Sequence, residues 1–104
     1  MKKSEVILTP QAREDIKQIS AYIARQDTQA SIAFRHTLEN IYQILLDLPE
    51  MGSVRNFGKP ELRDLRMLMI PRFKHHLIFY HTTTEGLEIV RVLHSARNLP
   101  ALFE

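Results

Sequence analysis

Three strand-like runs in the second half of the chain are joined by turns too short for a crossover connection. The runs are LRDLRMLMI at 62–70, FKHHLIFYH at 73–81 and LEIVRVLHSA at 87–96. Pro71-Arg72 joins the first two runs, and TTTEG at 82–86 joins the last two. Parallel neighbouring strands need a dozen or more residues between them, so connections of this length predict an antiparallel meander.

Two amphipathic helices precede this meander. Thr9 suits a helix cap and Pro10 suits the first helical position. Apolar residues then recur with helical spacing at Ala12, Ile16, Ile19 and Ile23, which predicts a helix over about residues 10–25. Asp27 or Thr28 can cap a second helix, which ends near residue 48 because Pro49 disfavours helical geometry before it. The apolar face of the second helix consists of Ala30, Phe34, Leu38, Ile41, Leu45 and Leu48.

The order of these elements predicts a two-layer α+β fold. A short strand, KSEVIL at 3–8, opens the chain, and the loop 48–61 with its two glycines and two prolines leads into the meander. The gap of about three residues between the helices makes them an antiparallel hairpin. The β-α-α-β-β-β order therefore predicts a helical hairpin packed on one face of a mainly antiparallel sheet, in a single domain of residues 1–104.

Composition excludes several classes of protein. No apolar run approaches the ~20 residues that cross a bilayer, and the first residues, MKKSEVILTPQARED, lack the apolar stretch of a signal peptide. We therefore expect a cytoplasmic protein. The chain has no cysteine, which excludes disulfides and thiol catalysis, and its net charge of +2 is far below that of a dedicated DNA-binding domain.

The histidines do not form a metal-binding pattern. His75 and His76 are adjacent and point to opposite faces of a strand, and His75 and His81 share a face but lie roughly 20 Å apart. Gly52 and Gly58 flank SVRNF, but neither the lysine nor the helix of a phosphate-binding loop follows. We expect no metal and no cofactor.

A basic set lies on the predicted C-terminal strands: Arg63, Arg66, Lys74, His76, Arg91, His94 and Arg97. On the sheet face that the helices leave open, such residues could bind an RNA backbone and, with a general acid and base, cut it. Strand alternation separates this set, because His94 shares a face with Val90 and Val92 whereas Arg97 shares the other face with Arg91. This pattern predicts that His94 lies in the core and that its substitution lowers the melting temperature.

Four segments resemble the ParE-type toxins of the RelE/ParE superfamily, also called plasmid-stabilisation proteins. They are LTPQAREDIKQISAYIARQ, LPEMGSVR, RFKHHLIFYH and LEIVRVLHSARNLPALF, in this order over nearly the whole chain. The ending VRVLHSARNL is most similar to the V-L-H-x-x-R-D/N-L signature of the family. The resemblance implies the same fold, with two helices and an antiparallel sheet. It also implies a toxin of a type II toxin–antitoxin system, which a ParD-like antitoxin from the adjacent gene wraps and neutralises.

The resemblance leaves two activities to choose between. ParE-type members have DNA gyrase as their attributed target, whereas RelE-type members cut mRNA on the ribosome and often use a Tyr or His close to the C-terminus. Here the tail NLPALFE offers Phe103, which cannot transfer a proton, and the nearest tyrosine is Tyr80. This departure favours a gyrase inhibitor with no catalytic residue. A nuclease that uses His76 or His81 as its acid stays open, as does an inactive relative that only binds its antitoxin.

Two sets of contact residues follow from this reading. For the target we expect exposed arginines: Arg63, Arg66, Arg91 and Arg97. For the antitoxin we expect Tyr42 and Leu46 on the second helix. Leu46 lies about 140° around the helix from Ile41, so the sheet covers it less well. It is either a scattered surface leucine or part of a partner groove. The antitoxin, rather than this chain, is expected to bind DNA.

Overall fold

The structure is a computed structural model that describes residues 5–103. In chain order the elements are β1 (Glu5–Leu8), α1 (Pro10–Gln26), α2 (Thr28–Asp47), β2 (Ser53–Val54), a 3-10 turn (Pro60–Leu62), β3 (Arg66–Ile70), β4 (Phe73–Thr82), β5 (Gly86–His94) and α3 (Leu99–Leu102). Residues 3 and 4 of the predicted first strand lie outside the described residues. The predicted α+β class, with a helical hairpin and a mainly antiparallel sheet, is confirmed. Within residues 5–103, each helix is too short or too polar to span a lipid bilayer.

Side-chain caps define the helical hairpin. The Thr9 hydroxyl accepts a hydrogen bond from the N–H of Ala12 at 3.0 Å, and Pro10 follows as the first helical residue. The Asp27 carboxylate accepts one from the N–H of Ala30 at 3.1 Å. Asp27 is the single residue between α1 and α2, so the connection is tighter than the sequence predicted.

The sheet has the strand order β1-β5-β4-β3-β2. The meander β3-β4-β5 is antiparallel, as predicted, and β1 lies parallel to β5, with Glu5 opposite Gly86 and Leu8 opposite Ile89. A glycine is needed at position 86, because a Cβ there would collide with the carbonyl oxygen of Glu5. The first strand thus closes one edge of the sheet beside the last strand of the chain.

Several boundaries differ from those that the sequence predicted. The two-residue β2, Ser53–Val54, lies inside the expected loop and pairs with the start of β3. β3 begins at Arg66 rather than at residue 62, because Pro60 opens a 3-10 turn that occupies the residues before it. β5 ends at His94, and the short helix α3 follows where no element was expected.

The main core lies between the helical hairpin and one face of the sheet. Its buried side chains are Ala12, Ile16, Phe34, Leu38, Ile41 and Leu45 from the helices and Ile70, Ile78, Tyr80, Leu87, Ile89 and Val92 from the strands. Leu48 was expected on the buried face of α2 but is 56% exposed. That expectation is wrong because α2 ends at Asp47 and the backbone of Leu48 leaves helical geometry.

Tyr80 ties the sheet to the loop after α2. Its ring is fully buried, and its hydroxyl donates to the carbonyl oxygen of Pro49 at 2.8 Å and accepts from the N–H of Gly52 at 2.9 Å. A Cβ at Gly52 would lie 2.7 Å from this hydroxyl, so the close approach requires a glycine. Tyr80 therefore fixes the path of the chain from α2 into β2.

The second face of the sheet is also covered. Its buried apolar side chains are Leu65, Leu77, Phe79, Leu93, Leu99 and Phe103, which we call the second cluster. Phe103 stacks on Phe57 with ring centroids 4.7 Å apart and lies 4.9 Å from the ring of Phe79. The expectation of a face open to an RNA backbone is wrong, because α3 and the loop before β3 bring apolar side chains onto it.

An extra residue in β5 breaks the predicted alternation. Ile89 and Arg91 lie opposite consecutive residues of β4, which leaves Val90 as a bulge. Val90 packs against the second cluster, whereas Val92 belongs to the main core. The expectation that Val90, Val92 and His94 share one face is therefore wrong, because the bulge moves Val90 to the other side.

A carboxylate on α1 accepts hydrogen bonds from the edge of β5, beyond the point where β1 ends. β1 pairs with β5 only as far as Ile89. Beyond that point the buried Asp15 accepts hydrogen bonds from the N–H of Val92 at 3.0 Å and from Nε and Nη2 of Arg91 at 2.7 and 2.9 Å. The bidentate ion pair and the backbone donor together offset the cost of burying the carboxylate. Asp15 thus takes the place of the strand that is missing beside Val92.

We expect Asp15→Ala to lower the free energy of unfolding by about 2–4 kcal/mol, because it leaves the N–H of Val92 and the Arg91 guanidinium without their acceptor. Urea denaturation followed by circular dichroism measures this change. Glu14→Ala, at an exposed neighbour on the same helix, is the matched control and should stay within about 0.5 kcal/mol of the wild type. Equal effects of the two substitutions would contradict the assigned role of Asp15.

Phe103→Ala should cost about 3 kcal/mol of unfolding free energy, since it empties the site between the rings of Phe57 and Phe79. The same denaturation experiment applies, with the exposed Arg97→Ala as the control that leaves stability unchanged. A loss below about 1 kcal/mol for Phe103→Ala would mean that α3 is not part of the folded core.

Candidate functional site

Arg91, one of the four arginines predicted to contact a target, is not exposed. Its side chain is 19% exposed and is held by the Asp15 carboxylate. The hydrogen bonds to Asp15 raise the pKa of Arg91 and outweigh the opposing effect of burial. The expectation of an exposed side chain is wrong here, because Arg91 is used in the contact between α1 and β5.

Arg66 is half-buried rather than exposed, so the expectation fails for this residue as well. Its Nη1 donates to the carbonyl oxygens of Gly52 at 2.7 Å and Glu50 at 3.2 Å. The Tyr80 hydroxyl forms hydrogen bonds with the same loop. The physical reason is that the loop after α2 presents unpaired carbonyl groups, and a guanidinium can satisfy more than one of them.

Arg63 and Arg97 are exposed. Arg63 follows the 3-10 turn next to Leu62, and Arg97 lies two residues before Leu99, so both flank segments that pack against the second cluster. The backbone N–H of Arg97 also donates to the carbonyl oxygen of His94 at 3.1 Å in the turn after β5. Both guanidinium groups therefore extend from backbone that is well anchored, and their role as target contacts stays a prediction.

His94 lies at the end of the sheet and is exposed. It is paired across the ladder with His76, and its Nδ1 accepts a hydrogen bond from the N–H of Ala96 at 3.0 Å. The prediction that His94 is a core residue is wrong. The strand ends at this residue, and a groove separates its ring from α1.

This groove, which we call the histidine groove, has a volume of about 750 Å³. It is lined by Gln18, Ile19, Tyr22, Ile23, Arg72, Phe73, Lys74, His75, His76 and His94. The ring of His94 stacks on that of His75 at 5.8 Å and meets that of His76 edge-on at 5.1 Å. No group of three or more His, Asp or Glu side chains within residues 5–103 is placed to hold a metal ion. The groove is thus a cationic and apolar surface rather than a metal site.

His76 lies deeper in the groove wall than His75 and His94, which are exposed. Its half-buried ring lies 6.0 Å from that of Phe34. Burial lowers the pKa of His76 below its ordinary value of 6.5, and the neighbouring His94 and His75 lower it further. The protonated form of His76 is therefore disfavoured unless a negative charge enters the groove.

The other candidates for proton transfer are already engaged. Both hydrogen-bonding directions of the Tyr80 hydroxyl are used, and burial raises the pKa of Tyr80. His81 Nε2 lies 2.7 Å from Oε1 of Glu88. Phe103 is 5% exposed, so it cannot stack on a base either. Tyr80 and His81 are therefore held in contacts of the fold.

Tyr42 and Leu46, the predicted antitoxin contacts, are half-buried and pack against the main core. Tyr42 also lines a small cavity of about 150 Å³ next to Leu8 and Glu39. Burial, together with the negative charge of Glu39, raises the pKa of Tyr42 to about 12. The phenol therefore stays protonated, and the contact role of both residues stays a prediction.

Sequence reasoning missed a set of exposed apolar side chains on the helical layer. They are Tyr22, Ile32, Ile44 and Leu48, which are 43–59% exposed. Periodicity places apolar residues on a helix face but does not show how far the sheet beneath extends. The same reasoning missed the histidine groove, because it placed His94 in the core and His75 and His76 on opposite faces.

When the pH is lowered from 7.5 to 5.5, we expect the melting temperature of the wild type to fall by about 1–3 °C more than that of His76→Gln. Folding favours the neutral form of this imidazole, because burial and the neighbouring rings lower its pKa. Its contribution to stability is therefore present above the unfolded pKa of about 6.5 and is lost as the pH falls through the folded value. Differential scanning fluorimetry measures both proteins. His36→Gln, at an exposed position on α2, should show no such trend, and an equal trend in both variants would contradict the assignment.

Comparisons with known proteins agree with this fold. The sequence model of the family described as the ParE toxin of the type II toxin-antitoxin system, parDE, matches residues 6–99. A search of curated protein sequences finds no match.

Among solved structures, the chain is similar to the chromosomal ParDE toxin–antitoxin system from P. aeruginosa. The TM-score is 0.69 and the identity 14%, over 90% of this chain and 98% of that chain. It is also similar to a conserved hypothetical protein from Helicobacter pylori, with a TM-score of 0.45 and 12% identity, over 89% of this chain and 96% of that one. The first of these likenesses supports the fold, and the second is too low to carry an argument. Because the family match extends from β1 to the first residue of α3, the chain belongs to the family of ParE toxins of type II toxin–antitoxin systems.

Proposed function

We propose that this protein is a toxin that binds DNA gyrase and inhibits it, acting in the cytoplasm without cutting nucleic acid. A ParD-like antitoxin encoded by the adjacent gene neutralises it. The observation that carries the choice against a nuclease is the burial of Phe103, which stacks on Phe57 and closes the second face of the sheet.

The closed face supports a binding mechanism over a catalytic one. A general acid and base must lie within hydrogen-bond reach of the proton they transfer. The basic residues that the sequence placed on an open sheet face are not gathered there. The second cluster occupies that face, Arg66 and Arg91 serve structural contacts, and Arg63 and Arg97 stand at its margin.

The two free arginines support contact with a protein target. Arg63 and Arg97 are exposed and flank the second cluster, so they extend from backbone that stays ordered. Arginine is enriched at the energetic centres of protein interfaces, since its guanidinium makes several directed hydrogen bonds. We assign these two residues, rather than Arg66 and Arg91, to the contact with gyrase.

The helical layer supports an antitoxin interface. Ile32, Ile44 and Leu48 expose apolar surface there, outside the histidine groove. Apolar patches on a small protein mark surfaces that a partner covers. We propose that the antitoxin covers this layer, with Tyr42 and Leu46 at the margin of the contact.

Purified toxin should stop gyrase from supercoiling relaxed plasmid or trap the enzyme on cleaved DNA, and Arg97→Ala should weaken this effect about tenfold because it removes a charged contact. An agarose-gel supercoiling assay over a toxin titration measures the change. Arg13→Ala, at an exposed position on α1, is the matched control and should keep full potency. If supercoiling is unchanged and no cleaved complex appears at toxin well above the gyrase concentration, the proposed target is wrong.

One observation favours a second candidate, a ribosome-dependent mRNA endonuclease. The rings of His75, His76 and His94 lie together beside Arg72 and Lys74, and two imidazoles can serve as general acid and base. Primer extension on translated mRNA after induction tests this reading. New 5′ ends that vanish in His94→Ala would favour it, and arrested growth without new ends would exclude it. Normal growth without antitoxin would instead indicate an inactive relative.

A further inference from the structure

We propose that the histidine groove receives an acidic segment of the antitoxin that also carries apolar side chains, and that this contact takes up protons. The inference rests on the proposed antitoxin partner and adds a second contact to the helical surface described above. The groove lies between α1 and the β3–β4 turn, at the end of the sheet where β5 stops.

The charge of the groove specifies an anionic occupant. Arg72 and Lys74 supply fixed positive charge, and His75, His76 and His94 add more when they are protonated. Among the described residues that line the groove, none carries a carboxylate. The buried carboxylate of Asp15 on the adjacent helix is already bound to Arg91. Within the described lining of the groove, the positive charges of Arg72 and Lys74 therefore have no carboxylate beside them.

The opposite wall specifies an apolar component in the same occupant. Ile19, Tyr22 and Ile23 line the groove from α1, and Phe73 lines it from β4. Tyr22 is 59% exposed, the largest exposure among the large apolar side chains described. A ligand that offered only negative charge would leave this wall in water. A peptide segment that carries carboxylates on one side and apolar side chains on the other satisfies both walls.

A protein segment fits this groove better than a nucleic acid does. Single-stranded nucleic acids bind through a run of phosphate contacts and through aromatic rings that stack on successive bases. Here the fixed charges are those of Arg72 and Lys74, and the α1 wall offers Gln18, Ile19 and Ile23 with a single aromatic ring, that of Tyr22. The chain as a whole carries a net charge of only +2.

The histidines couple this contact to pH. His76 faces Arg72, Lys74 and His75 of its own hairpin, His94 of β5, Gln18 and Tyr22 of α1 and Phe34 of α2. Its protonation is opposed by burial and by the two neighbouring imidazoles. Carboxylates in the groove would reverse this opposition, so that binding draws protons onto the histidines and strengthens as the pH falls.

The test measures the affinity of the full-length toxin for its cognate antitoxin by biolayer interferometry, over a salt series at pH 7.5 and at pH 6.0. Arg72→Glu/Lys74→Glu should weaken binding about tenfold and flatten its dependence on salt. Tyr22→Ala should weaken binding by a similar factor. The wild type should bind about threefold tighter at pH 6.0, and His75→Gln/His94→Gln should reduce this gain.

Two matched controls separate the groove from the rest of the surface. Arg13→Glu/Lys17→Glu makes the same change in charge at exposed positions of α1 outside the groove, and Val54→Ala removes an exposed apolar side chain of β2. Both should change the affinity less than the groove variants do. Unchanged melting temperatures of the groove variants would show that the loss is not due to unfolding.

Each contrary outcome identifies what has failed. If toxin and antitoxin form no complex, the proposed partner and this inference both fail. If they form a complex that the groove variants leave intact, only this inference fails. If instead a single-stranded RNA oligonucleotide binds the wild type but does not bind Arg72→Glu/Lys74→Glu, the groove is a nucleic-acid site and the inference is overturned.

Discussion

The contact between Asp15 and the edge of β5 is the constraint on which the rest of the fold depends. β1 is four residues long and stops opposite Ile89, which would leave the rest of β5 without a neighbour on that side. The chain turns instead into α1. The N–H of Thr9 donates to the carbonyl oxygen of Ile89 at 3.0 Å, its hydroxyl donates to that of Val90 at 2.7 Å, and Asp15 accepts from Arg91 and Val92. Thr9 and Asp15, at the start of α1, thereby continue the hydrogen bonding along the edge of β5.

This attachment decides where functional surface can form. Since the first turns of α1 are held against β5, its later residues Ile19, Tyr22 and Ile23 lie over the end of the sheet and form one wall of the histidine groove. At the other face, the C-terminal residues return over the sheet and Phe103 completes an aromatic stack. With apolar side chains on both faces of the sheet, the proposed contacts with partners lie on the helical layer, in the groove and at the exposed arginines.

The sequence predicted the elements whose causes are local. The structure has the caps at Thr9 and Asp27, the end of α2 just before Pro49 and the short turns of the meander, each of which depends on a few neighbouring residues. It did not predict what depends on contacts between distant segments. Helical spacing does not mark Asp15 as a partner of β5, and strand alternation does not mark Val90 as a bulge. The errors over His94 and Arg91 have other causes, because β5 ends at His94 and Arg91 is bound by the Asp15 carboxylate. The exposed arginines at 63 and 97 were predictable, since both lie beside turns.

The central claim is that this toxin acts by contact with gyrase and not by cutting RNA. The most direct measurement is a calorimetric titration of purified toxin into purified gyrase, without DNA, ribosomes or nucleotide. A binding account predicts a saturable isotherm with a defined stoichiometry, since the proposed contact joins two protein surfaces and needs no substrate. An absence of any binding heat at concentrations well above those that arrest growth, together with newly cut mRNA in the same cells, would contradict it.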